Sequence, residues 1–220
     1  GLNNYKGNIY HTGAWPKEMP DFKDRKVGVI GTGSSAVQSI PIISNTAEKL
    51  IVFQRTPNFS LPARHRDLPK DKREEYKKNY KKYRQLAKNS SFGIAKYQPP
   101  RQSTFEVSDE ERNVIYEKAW QEGGQAMLFA FTDLLTDEKA NETAAEFVRN
   151  KIRKIVDDKE TAEKLCPKNH PIGTKRLCLD SNYFETYNKN NVSLIDISND
   201  PIEKITEKGL FTNNIEYSFD

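Results

Sequence analysis

At 220 residues the chain is long enough to bury a real core and to form one or two domains. Charged residues make up 30% of it and hydrophobic ones 35%, with a mean hydropathy of −0.83, the profile of a very polar globular chain. No stretch approaches the roughly 20 apolar residues of a membrane span, and no signal peptide opens the chain, so a cytoplasmic protein without a membrane role is expected.

Residues 1–20 read as an irregular lead-in punctuated by Gly and Pro. Lys26–Ile30 predicts a strand, Ser34 to about Ser44 a helix, and Leu50–Gln54 a second strand, a β-α-β unit. Pro41 is expected to kink that helix or end its regular part. Thr56-Pro57-Asn58 and Leu61-Pro62 then break regular structure.

From Lys70 to about Leu165 the residues are helix formers without a β pattern, predicting a helical insertion. The net charge of +4 is concentrated at its start, where Arg64–Arg101 holds 13 Lys or Arg against 4 Asp or Glu. Tyr76, Tyr80, Tyr83 and Ala87 recur there at helical spacing and are expected to be buried. The charge run therefore reads as a solvated helix face and not as a nucleic-acid surface. Ser108 with Glu111 predicts a capping box for a helix through about Trp120. Gly123-Gly124 interrupts, and Ala126–Leu135 resumes with apolar residues. Thr136 is placed to cap a long helix whose inward face is Ala144, Ala145, Phe147, Val148, Ile152, Ile155 and Val156. Asp158 starts a shorter helix that Pro167 closes.

Strand patterns return after a short helix at Tyr183–Tyr187. Val192–Ile197 is a strong strand, and Ile202–Thr206, Gly209–Thr212 and Ile215–Phe219 make an antiparallel meander turning at Asn213-Asn214. The expected fold class is α/β. The expected architecture is Rossmann-like, with a parallel sheet core, a small antiparallel β meander and an all-helical insertion. The expected boundaries are a linker over 1–20, the Rossmann-like domain over 21–68 and 166–220, and the insertion over 69–165.

The chemistry begins at Val27-Gly28-Val29-Ile30-Gly31-Thr32-Gly33-Ser34-Ser35-Ala36, a dinucleotide fingerprint with Ala36 in the third small position. Gly31 allows the tight turn, Gly33 admits a pyrophosphate to the backbone, and the helix N–H groups face the anion. Thr32, Ser34, Ser35 and Gln38 on the same loop and helix are further candidate nucleotide contacts, as is Thr56. Arg55 closes the second strand where NAD-binding folds place Asp or Glu, and Val52–Thr56 contains no acid. A guanidinium there suits a 2′-phosphate, favouring NADPH over NADH. Cys166 and Cys178 match no metal or redox motif and read as reduced thiols, and His11, His65 and His170 are too scattered for a metal site.

A second run, Tyr5-Lys6-Gly7-Asn8-Ile9-Tyr10-His11-Thr12-Gly13-Ala14-Trp15-Pro16, precedes the fingerprint. Together with Gly173-Thr174-Lys175-Arg176 and Asn182-Tyr183-Phe184-Glu185-Thr186-Tyr187-Asn188, it resembles the flavin-dependent Baeyer–Villiger monooxygenases. Gly7, His11, Trp15 and Pro16 fit the family pattern, while Tyr5 stands where Phe is usual. The resemblance implies that this run links flavin and NADP domains and that His11 supports domain movement. It also implies that Lys175 helps bind the 2′-phosphate and that Arg176 stabilises a negatively charged peroxyflavin at the flavin site. The implied cofactors are NADPH and FAD, and the implied substrates are a ketone and O2. The family's FAD fingerprint and flavin-side acid do not occur here, so the chain reads as a piece that binds FAD mainly through segments it lacks. A related N- or S-oxidising flavin monooxygenase and a non-catalytic NADP-binding module are the alternatives.

Overall fold

The computed structural model describes residues 1–90, 93, 94, 96, 97 and 100–220. Its first regular elements are β1 (Lys26–Ile30), α1 (Ser34–Ile43), β2 (Lys49–Gln54) and the short β3 (Ser60–Pro62). Helices follow: α2 (Lys70–Lys78), α3 (Tyr80–Lys88), α4 (Asp109–Glu122), α5 (Glu138–Ile155) and α6 (Lys159–Leu165). The last elements are β4 (Cys178–Asp180), β5 (Val192–Asp196), β6 (Lys204–Ile205), β7 (Gly209–Thr212) and β8 (Ile215–Ser218). The chain divides into two units, one of Gly1–Ser60, Val148–His170 and Leu177–Asp220, the other of Leu61–Phe147 and Pro171–Arg176.

In the first unit, β1, β2 and β5 form a parallel sheet in the order β1-β2-β5. Leu50 through Gln54 are all buried, as expected for a central strand covered on both faces. Ile51 and Phe53 meet Ile197 and Leu210 in one core cluster, flanked by Ile202, Tyr217 and Phe219. The antiparallel meander β6-β7-β8 turns at Asn213 and Asn214, both at positive φ. Two adjacent residues at positive φ define the type I′ hairpin turn, and Asn tolerates that region better than most side chains. Gln54, 1% exposed, donates through Nε2 to the Lys164 carbonyl at 2.7 Å, occupying an open carbonyl at the end of α6. Pro41 sits in the last turn of α1, which ends two residues later at Ile43.

Asp158 caps α6 by accepting from Thr161 N–H. Nearby, Glu163 accepts from Arg153 and, at 2.7 Å, from Lys168, and these bonds hold its carboxyl down at about 2. Its folded value lies below the ordinary 4.5, so the stabilisation is complete above about pH 4.5 and is lost as pH falls towards 2. Glu163→Gln is expected to lower the melting temperature at pH 7 by an amount worth no more than about 1 kcal/mol, because the pairs are partly exposed. At pH 2 parent and variant should melt together. Equal melting at pH 7 would show that the pairs contribute nothing. Cys166 and Cys178 are both buried free thiols, and burial pushes Cys166 up to about 11.

In the second unit, Ser108 and Glu111 form the expected capping box on α4. Three expectations are corrected here. The cap of α5 is Asp137, whose Oδ1 accepts from Ala140 N–H at 2.8 Å, while the Thr136 hydroxyl turns back to the Asp133 carbonyl. Within Ala126–Leu135 the only helical piece is the 3-10 turn Ala126–Phe129. The tyrosine stripe is not buried, since α2 and α3 contain no buried residue. Asn79 leaves helical geometry between the two helices, and Tyr76 and Tyr83 then meet edge-to-face at 5.0 Å, so the stripe joins the helices to each other. Of the expected inward face of α5, Ala144 and Ala145 in this unit and Val148 and Ile152 in the first are buried, as is Val156 just beyond the helix, while Phe147 and Ile155 are half-buried.

Candidate functional site

The β1–α1 turn is built from backbone demands. Gly31 has φ +101, a region other residues rarely adopt, and its N–H donates to the Phe53 carbonyl at 2.8 Å. Gly33, at φ −80, is under no such demand, but a Cβ there would meet nothing within 4 Å. The space before the loop is therefore open to an approaching ligand. Gly33 is also the N-cap of α1 and offers no side-chain cap, which leaves the first-turn N–H groups available. Ser34, Ser35 and Gln38 are exposed, and Gln38 reaches back to Ser34 Oγ at 3.5 Å. Ala36 is 9% exposed, a small side chain turned into the packing of α1. An uncapped helix start behind a glycine turn is a cradle for a diphosphate.

Two side chains tie this loop to the segment after β2. The Thr32 hydroxyl donates to the Thr56 carbonyl at 3.0 Å, and Asn58 Nδ2 donates to the Thr32 carbonyl at 2.9 Å. Thr32 is 4% exposed, so its hydroxyl is spent inside the fold. Asn58 is a residue that sequence reasoning missed. Only its place in a Thr-Pro-Asn turn hinted at a structural duty. Arg55 is exposed and has no hydrogen-bond or ion-pair partner among the described residues. The fold thus brings Gly31, Thr32, Gly33, Ser34, Ser35, Ala36, Arg55 and Thr56 to one end of the β1–β2 pair. A surface recess lined by Pro41, Ile42, Asn45, Ser181, Asn182 and Lys189 includes none of them.

Lys175 and Arg176 belong to the second unit, and each is exposed without a partner among the described residues. Their segment is held by Asn141 of α5, 6% exposed. Its Nδ2 donates to the Leu134 and Ile172 carbonyls at 2.7 and 2.8 Å, and its Oδ1 accepts from Ile172 N–H at 2.9 Å. Gly173 turns the chain at φ +89, where a Cβ would lie 2.7 Å from Leu135. Asn141 also escaped the sequence reading, which had no signal beyond a polar residue on an apolar helix face.

In the first motif, His11 Nδ1 accepts from Gly13 N–H at 3.1 Å, capping a 3-10 turn over Thr12–Ala14. Trp15 remains 38% exposed and packs with Tyr10 and Phe22 at ring distances of 5.9 and 6.3 Å. Pro16 follows in exposed chain. Tyr5 is half-buried beside Gly7 and Asp220, and burial pushes its phenol up, with the Asp220 charge adding to the shift. Lys6 N–H donates to the Glu207 carbonyl at 3.0 Å, which fastens the start of the motif to the meander.

No family model matches the chain. It is 39% identical to a Baeyer–Villiger monooxygenase of Pseudooceanicola batsensis over 96% of its length. It is 38% identical to cyclohexanone 1,2-monooxygenase of an Acinetobacter species over 99%. The solved structure of an oxidised steroid monooxygenase bound to NADP superposes on the whole chain with a TM-score of 0.95 at 47% identity. The chain belongs to the Baeyer–Villiger monooxygenase family. A phenazine N-monooxygenase of Lysobacter antibioticus, at 39% identity over the whole chain, shows how close an N-oxidising relative lies to this family. The chain spans 38%, 40% and 40% of these three curated relatives respectively, and 42% of the steroid monooxygenase. Within the family fold, the α/β architecture expected from sequence is the observed one. Among the described residues no helix is long and apolar enough to cross a membrane, and no group of three His, Cys, Asp or Glu could hold a metal ion.

Proposed function

We propose that the chain is the NADPH-binding portion of an FAD-dependent monooxygenase that inserts one O2-derived oxygen beside a ketone carbonyl, giving an ester or lactone. The observation that carries this reading is the pairing of an open, uncapped α1 N-terminus behind Gly31 with an unpartnered Arg55 at the end of β2. These residues fit a 2′-phosphorylated dinucleotide: the α1 N–H groups hold the diphosphate, and Arg55 supplies a guanidinium for the 2′-phosphate. Lys175, exposed and unpartnered within its own unit, is a candidate cation for a nucleotide phosphate. Arg176 supplies fixed positive charge where negative charge develops during oxygen transfer. When bound, NADPH supplies the hydride that reduces the flavin, and FAD is held mainly by segments outside these 220 residues.

The test is calorimetry of the chain with NADP and with NAD. NADP is expected to bind more tightly, and Arg55→Ala to lower NADP affinity by about 1.5–3 kcal/mol, the scale of a charge-assisted bond. NAD affinity should barely change. An equal loss for both nucleotides would remove Arg55 from the 2′-phosphate site. The 39% identity to a phenazine N-monooxygenase favours a second reading, in which the complete enzyme oxidises a nitrogen centre. Ester formation from a ketone, against N-oxide formation from an aromatic N-heterocycle, separates the two.

A further inference from the structure

The glycine turn and the Arg55 segment are distinct pieces of chain, one leaving β1 and the other leaving β2. A dinucleotide with a 2′-phosphate must engage both, whereas one without it engages the glycine turn alone. The distance between the two subsites is therefore a property the protein must hold before the ligand arrives. Three hydrogen bonds cross between them: Gly31 N–H to Phe53 O at 2.8 Å, Thr32 Oγ1 to Thr56 O at 3.0 Å, and Asn58 Nδ2 to Thr32 O at 2.9 Å. The first is a backbone bond that any residue with the right φ would make. The other two depend on side chains and fasten Thr32 to Thr56 and Asn58, one and three residues after Arg55. Pro57, between them, fixes its own φ and stiffens the clasp. The Thr32 hydroxyl is buried and the Asn58 amide is half-buried, so the clasp is made within the fold.

We propose that the Thr32 hydroxyl and the Asn58 side chain are positioning residues that set the preference for a 2′-phosphorylated dinucleotide, by holding Arg55 at a fixed distance from the glycine turn. Resting on the NADPH-binding reading above, this assigns selectivity to two residues that need not touch the 2′-phosphate. With the clasp intact, the second phosphate is captured as an intramolecular event at high effective concentration. With it broken, only the Gly31–Phe53 backbone bond and the strand pairing still tie the two segments, and that advantage shrinks. NAD, which uses only the turn, is affected little.

The experiment measures NADP and NAD affinity for the chain by calorimetry, in the parent and in Asn58→Ala, Thr32→Val and Thr32→Ser. Asn58→Ala and Thr32→Val are each expected to weaken NADP binding about five- to tenfold, the size of one hydrogen bond, with NAD within about twofold. Thr32→Ser keeps the hydroxyl and should keep the parental ratio. In an Arg55→Ala background, Asn58→Ala should cause no further selective loss, because the two act through one interaction. Equal losses for NADP and NAD, or losses that add to those of Arg55→Ala, would overturn the proposal and leave Asn58 a purely structural residue. If Asn58→Ala fails to fold, the contrast between Thr32→Val and Thr32→Ser decides alone. A parent that shows no preference for NADP overturns the NADPH-binding reading and this inference with it. A parent that prefers NADP through Arg55, with Asn58→Ala unchanged, overturns this inference alone.

Discussion

In the complete monooxygenase, Arg176→Ala is expected to cut ester formation by about 10²-fold or more while nucleotide affinity stays within a few-fold. That loss is typical for removing one preorganised electrostatic stabiliser. No group among the described residues pairs with its guanidinium. Its segment is fastened by Asn141 and turned by Gly173, so the cation stands on a fixed piece of backbone. Consumption of NADPH should persist, with oxygen released as hydrogen peroxide instead of entering product. Lys175→Ala should do the reverse, raising KM for NADPH while oxygenation of bound ketone continues. Product formation and NADPH consumption measured side by side check both variants. Parental ester yield with full coupling in Arg176→Ala would make this arginine structural.

Phe53→Ala is expected to destabilise the chain by about 3–5 kcal/mol, the usual cost of emptying a buried aromatic site. Phe53 is fully buried in the central strand and meets Tyr217 and Phe219 edge-to-face at 5.2 and 6.0 Å. Its loss would leave a cavity between the parallel sheet and the meander, which neither sheet can close without shifting its strands. For a chain of this size the melting temperature should fall by roughly 6–20 °C, followed by circular dichroism. A fall below about 3 °C would show that the meander collapses into the space, and that this core is softer than its burial implies.

Much of the β1–α1–β2 region was legible because its signals are local. A β-branched strand, a residue forced to φ +101 and a helix start without a cap all occur between Lys26 and Ala36, where each residue constrains its neighbours directly. The Ser108–Glu111 box and the Asn213–Asn214 turn were legible for the same reason, since their hydrogen bonds or dihedrals span four residues or fewer. Arg55 was legible as a charge at the end of a strand, and Lys175-Arg176 only through resemblance.

What the sequence determined by itself, then, is the set of short-range structures and the kinds of charge they carry. Tertiary structure alone decided their partners. Hydrophobic spacing named Tyr76, Tyr80 and Tyr83 as a stripe. Whether a stripe meets a core or another helix depends on which surface the fold brings to it, and Asn79 folded it onto itself. A buried polar side chain must find its partner wherever the chain passes, so Asn141 reaches Ile172 and Asn58 reaches Thr32 across loops that no local pattern joins. The same holds for β2, whose neighbour β5 lies on the far side of the helical insertion. An apolar strand advertises burial, but its register and partner are settled only when distant segments compete for the same backbone hydrogen bonds.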